Sequence, residues 1–258
     1  MVTRTPATNV DGSAGVDDIA PARIYLQPIA APSILGLYGL AAATFMFGAF
    51  MANWFGTASA TPVLLIPFAV IFGGFAQFLA GMWAYKARDG FATAMHGLWG
   101  SFWISYGLLY VLMLNGHATI PGGTTGQALG FWFIVLSVIT AAGAFAATAE
   151  STGMAITFGV LTLASICLCL GNLLASTGLL ALGGWLFFLT SLAAVYTASA
   201  LMFEGSFGRS ILPIGRSGRA VTEPGVSVGT GEPGVIHGQL SSAYVASTAT
   251  TAQRNRVA

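Results

Sequence analysis

The chain has 258 residues, of which 55% are hydrophobic and 7% charged, and its net charge is +1. A soluble domain needs roughly 25% charged residues to cover its surface, so the composition argues against a water-soluble enzyme. With no basic patch to neutralise phosphates, it argues equally against a nucleic-acid partner.

Residues 1–30 form a polar segment interrupted by Pro6, Pro21 and Pro28. They lack the basic start and short apolar core of a signal peptide. Six apolar stretches follow, at 33–55, 62–85, 91–114, 128–148, 152–170 and 183–203, and none contains Lys, Arg, Asp or Glu. A hydrocarbon layer ~30 Å thick is crossed by about 20 helical residues. Backbone groups in lipid must pair internally, and the alternation of a barrel strand is absent. The sequence therefore predicts an all-α integral membrane protein with six transmembrane helices in a domain spanning 31–215. Cys167 and Cys169 fall in one apolar stretch, two residues apart, where they face different sides of a helix and read as packing residues. Residues 216–258 turn to Ser, Thr, Gly and Ala with scattered Arg. Such a tail buries too little apolar surface to offset its ordering entropy and is expected to be disordered.

Charge placement sets the expected orientation. The nine basic residues are Arg4, Arg23, Lys86, Arg88, Arg209, Arg216, Arg219, Arg254 and Arg256. With six spans they all fall on one side, and the positive-inside rule puts both termini in the cytoplasm. The expected location is the plasma membrane.

Few residues in the spans offer chemistry. His96 is the one Lys, Arg, Asp, Glu or His within them. It reads either as a pH-sensitive gate or relay, or as an interfacial histidine bonding a carbonyl or water. No His-Glu-x-x-His, nucleophile elbow or phosphate loop is present, so acid–base and metal catalysis lack their actors, and neither enzyme activity nor a cofactor is expected. What remains is uncharged polarity, with Gln77, Ser101 and Asn172 as candidate pore-lining groups. Each also reads as a helix–helix hydrogen bond. The spacings Gly39-x-x-x-Ala43 and Ala76-x-x-x-Ala80 read as close helix packing.

The second and third spans carry Phe72-Gly73-Gly74-Phe75-Ala76-Gln77-Phe78-Leu79-Ala80-Gly81 and Trp99-Gly100-Ser101-Phe102-Trp103. The chain enters its first span as Ala31-Pro32-Ser33-Ile34-Leu35-Gly36-Leu37. It leaves the last through Phe207-Gly208-Arg209-Ser210-Ile211-Leu212-Pro213-Ile214-Gly215. In order and spacing this resembles the acetate uptake transporter family, the succinate–acetate permeases, from Pro32 to Gly215. The resemblance implies a homohexamer with a pore inside each subunit for acetate and related monocarboxylates. It also implies a hydrophobic constriction, which carries over to Leu40, Trp99 and Leu161. Leu40 and Trp99 stand where the family has Phe and Tyr. Ala31, Ile34 and Ala84 replace the family's Asn, second Pro and acidic residue, departures that bear on substrate rather than fold.

The expected activity is passage of a small carboxylate through a narrow, uncharged pore in a lipid bilayer. The alternatives are another small solute on the same scaffold (a longer monocarboxylate, succinate or ammonia), or a membrane sensor that transports nothing.

Overall fold

A computed structural model describes residues 30–57, 61–116 and 124–216. Most of the expected segments 1–30 and 216–258 lies outside them. Among the described residues the fold is all α, with six helices long and apolar enough to cross a membrane. They are the first helix, Pro32–Met51, the second, Thr61–Ala87, the third, Gly90–Leu114, the fourth, Thr124–Ala147, the fifth, Thr152–Leu173, and the sixth, Thr177–Phe207.

Local chemistry explains the helix ends. Pro32 occupies the first turn of the first helix, where its missing N–H costs nothing. Asp89, Ser151 and Ser176 cap the third, fifth and sixth helices, accepting from the N–H groups of Ala92, Met154 and Leu179. Arg88 takes a left-handed conformation with φ 57°, so the chain reverses between the second and third helices within two residues. The sixth helix begins at Thr177, six residues before the expected span, because the Ser176 cap starts it among polar residues. The first ends at Met51, short of the expected Phe55, since Asn53 turns the chain with φ 61°.

The second helix is irregular. After Pro67 it runs as π-helix over Phe68–Ala76 and returns to α-helix at Gln77. Proline lacks an N–H and its ring crowds the preceding turn, and wider π turns recur at functional positions.

Successive helices run antiparallel and close into a ring in chain order. Gly100 faces Phe78 across the second and third helices, and Met95 faces Gly143 across the third and fourth. Gly130 meets Leu173, and Gly171 meets Leu180. Gly184 lies against Met51 and Ala52 and joins the sixth helix to the first. In lipid this association rests on close packing, which small residues permit. The third and fourth helices meet along a looser seam, where a 340 Å³ pocket is lined by Ser105, Leu109, Leu129, Trp132 and their neighbours.

All charged groups among the described residues cluster at one end of the bundle: Lys86, Arg88, Asp89, Glu150, Glu204, Arg209 and Arg216. Residues 208–216 fold back over that end. The carbonyls of Gly215 and Ile214 accept from Thr152 and Gly153 N–H at 2.8 and 2.9 Å. The Phe-Gly-Arg…Pro-x-Gly motif thus satisfies first-turn donors of the fifth helix that would otherwise be orphaned. Tyr196 Oη donates to the Pro213 carbonyl at 2.8 Å and pins the same segment.

Candidate functional site

The bundle interior holds one contiguous buried apolar cluster, and Leu40, Trp99 and Leu161 all belong to it. None is more than 1% exposed, so the bundle encloses all three side chains. Trp99 is held from two sides. Its Nε1 donates to Thr140 Oγ1 on the fourth helix at 3.1 Å. Its ring lies 5.3 Å from Phe102 and 6.3 Å from Phe187 of the sixth helix.

Around these residues lies an unusual set of polar groups. Among the described residues, four buried side-chain nitrogen and oxygen atoms have no hydrogen-bond partner: Gln77 Nε2, Gln77 Oε1, His96 Nδ1 and Trp103 Nε1. A buried polar group left unpaired costs about 1–3 kcal/mol, so native structures rarely keep one without a reason. All three residues pack against the first helix. A Cβ on Gly36 would stand 2.5 Å from the His96 ring. A Cβ on Gly39 would stand 2.6 Å from the Phe72 carbonyl and 3.4 Å from the Gln77 nitrogen. Ala43 and the Trp103 ring both crowd Gly73. The first helix therefore meets His96, Gln77 and Trp103 in turn from its charged end. The π segment supplies the Phe72 carbonyl and Gly73 at this junction.

The other polar candidates are placed differently. Ser101 Oγ donates to the Gly97 carbonyl and Asn172 Nδ2 to that of Leu168, each one turn back on its own helix, and both residues are half-buried. Sequence reasoning missed Trp103 as a polar group and Gly36 as the seat of the His96 ring. Gly36 lies four residues before Leu40 and three before Gly39, the spacing of one helix face, and that is the signal by which it was discoverable.

Three carboxylates, Asp89, Glu150 and Glu204, mark the charged end. Asp89 caps the third helix, accepting from Ala92 N–H at 2.8 Å. Burial pushes its carboxyl up, and the N–H groups of Ala92 and Phe91 pull it partly back. Burial, then the charge of Asp89, push Glu150 up to about 7. Lys86 and Arg88 share this end, while the Arg216 guanidinium is engaged by Glu204. The folded chain thus holds the Glu150 proton more tightly than the unfolded chain. Stability from this group is full at acid pH and is lost as pH rises from about 4.5 to about 7. Melting of the detergent-solubilised protein is expected to fall over this window by about 1 kcal/mol, or ~3 °C, after solvent screening. Glu150→Gln should flatten that slope, and an unchanged slope would show that another group sets it.

The profile of the GPR1/FUN34/yaaH family matches residues 17–211. The chain belongs to this family. Among its members, the succinate-acetate/proton symporter SatP of Escherichia coli K12 is 26% identical over 189 residues, which are 73% of this chain and 97% of SatP. Ammonia transport outward protein 2 of Saccharomyces cerevisiae is 29% identical over 186 residues, 70% of this chain and 64% of the yeast protein. A solved structure of the bacterial acetate channel SatP superposes with a TM-score of 0.67 at 25% identity, covering 72% of this chain and 99% of that one. The family resemblance drawn from the sequence motifs is therefore correct, and these relatives are named as transporters and a channel.

Proposed function

We propose that this chain is a membrane channel or transporter for acetate and related small monocarboxylates, working at the plasma membrane with both termini cytoplasmic. The observation that carries the reading is the series His96, Gln77, Trp103 of buried polar groups without partners, in a bundle that also buries Leu40, Trp99 and Leu161. Unpaired dipoles inside a lipid-embedded bundle are explained by a solute or water that visits them. A bare carboxylate cannot enter lipid, and neutral donors replace part of its hydration without holding it. Leu40, Trp99 and Leu161 act as the constriction, excluding larger or more strongly hydrated solutes. Ser101 and Asn172 line the path at its margins with the hydroxyl and carbonyl capacity their helix bonds leave free. The names of SatP and of the solved acetate channel support the substrate class. Clustering of Lys86, Arg88 and Arg216 at one end supports the orientation. Assembly as a homohexamer, with one path per subunit, rests on the family resemblance.

The experiment is labelled-acetate uptake into proteoliposomes, with and without a pH gradient. Protein-dependent uptake is expected, and none for any small monocarboxylate would end the reading. Leu40→Phe combined with Trp99→Tyr restores the family's usual side chains. It is expected to change the preference for acetate over propionate by on the order of tenfold, the scale at which a pocket senses one methylene. An unchanged preference would remove these residues from the constriction. A second reading, passage of ammonia, is favoured by the name of the yeast relative and the uncharged spans. Inhibition of acetate uptake by ammonium, but not by propionate, would select it.

A further inference from the structure

Gln77 is wholly buried, and neither its Nε2 nor its Oε1 has a partner. It is the first residue after the π-helical stretch. The close approach of Gly39 sets its backbone against the first helix, one residue before Leu40. Neither the first helix nor the third supplies a Lys, Arg, Asp or Glu, and His96 is their sole histidine.

A carboxamide presents an N–H donor beside a C=O acceptor in one plane. A carboxylate ion offers acceptors only, so it would satisfy Nε2 and set its second oxygen against Oε1. An apolar solute satisfies neither atom. The full complement is a planar group with its own acceptor beside its own donor, closing a ring of two hydrogen bonds. Two groups of this kind are small enough for a narrow path: a carboxyl that carries its proton, and a primary amide.

We propose that Gln77 is a recognition site for small planar solutes that pair a donor with an acceptor, namely primary amides and protonated short-chain carboxylic acids. This rests on the conduit reading above and deepens it: Nε2 donates to the solute carbonyl, and Oε1 accepts from the solute O–H or N–H. Specificity follows from the burial. A solute that lacks the donor leaves Oε1 unpaired in a dry interior, and such sites reject analogues far more strongly than apolar pockets do.

The test is competition against labelled-acetate uptake in proteoliposomes holding the full chain. Acetamide is the probe, and N,N-dimethylacetamide, which keeps the carbonyl but has no donor, is the control. Acetamide is expected to halve uptake at a concentration about a hundredfold below that needed for dimethylacetamide. Gln77→Leu should erase the difference between the two amides. If that variant does not fold, the wild-type comparison decides alone. Equal competition by the two amides overturns the proposal, as does absence of competition by either. In both cases intact acetate uptake leaves the conduit reading standing. Absence of acetate uptake by the wild-type protein overturns the conduit reading, and this inference falls with it.

Discussion

Gly100→Val is expected to leave little folded protein. A Cβ at Gly100 would lie 2.5 Å from the Phe78 nitrogen and 2.8 Å from its Cα. These are backbone atoms of the second helix, so no rotamer change relieves the contact. The two helices would have to part, and with them the layer that contains Gln77 and Trp99. Overpacking where side chains can adjust costs about 1–3 kcal/mol, and a backbone clash belongs at or above the top of that range. Gly97 supplies the control. It lies three residues earlier on the same helix, and a Cβ there would meet nothing within 4 Å. Gly97→Ala is expected to fold with a melting temperature equal to or above wild type. Size-exclusion profiles and melting curves in detergent distinguish the two. Equal behaviour of both variants would show that the helix contact at Gly100 is not tight.

The same glycines show what the sequence made legible. Six spans could be counted from the absence of charge alone, because lipid forbids unpaired backbone and tolerates few ionised side chains. The tight turn at Asp89 and the one-sided placement of Lys86, Arg88 and Arg216 were legible on the same ground. Helix ends were less so. Ser176 and Thr177 look like loop residues, yet a serine cap is how the sixth helix starts. The π-helix could not be read, since Pro67 forecasts a kink and not which hydrogen-bond ladder follows it. Within the candidate site, composition distinguishes Gln77 from Ser101 only by side-chain type. The difference is spatial: Ser101 reaches the Gly97 carbonyl on its own helix, whereas neither polar atom of the buried Gln77 carboxamide meets a partner. Trp103 was hidden for a related reason. Trp99 and Trp103 look alike in sequence, and only the fold gives one indole a threonine partner and the other none.

This difference carries a physical consequence. The Trp99–Thr140 bond ties the third helix to the fourth across the loosest seam of the ring, so the residue proposed for the constriction also acts as a strut. On that proposal, substitutions there act on pore width and helix spacing together. For that reason the paired Leu40 and Trp99 change is best judged by selectivity, a ratio that a general loss of folded protein leaves unchanged.

His96 and Gly36 offer a cleaner separation of structure from chemistry. A Cβ at Gly36 would lie 2.5 Å from Cγ, Nδ1 and Cε1 of His96 alike, which places it over the face of the ring. Gly36→Ala must therefore drive the imidazole out of its seat and into the neighbouring interior. The expected cost is about 2 kcal/mol in stability, and blockage beside Gln77 is expected to lower acetate uptake by roughly tenfold or more. Removing the ring removes the clash. The double variant Gly36→Ala/His96→Ala should regain most of the lost stability, giving a coupling of at least about 1 kcal/mol between two positions sixty residues apart in sequence. Additive losses would mean that the ring is not seated on Gly36. The sequence reading of His96 as an interfacial histidine bonding a carbonyl or water does not hold, because the residue is 1% exposed and its Nδ1 has no partner. The single variant His96→Ala then sets the relay reading against a role in packing alone. If the imidazole relays protons, uptake driven by a pH gradient collapses in a protein that still folds. If it only fills the space left by a glycine, uptake persists with its pH dependence unchanged, and the other unpaired groups, Gln77 and Trp103, bear the traffic alone.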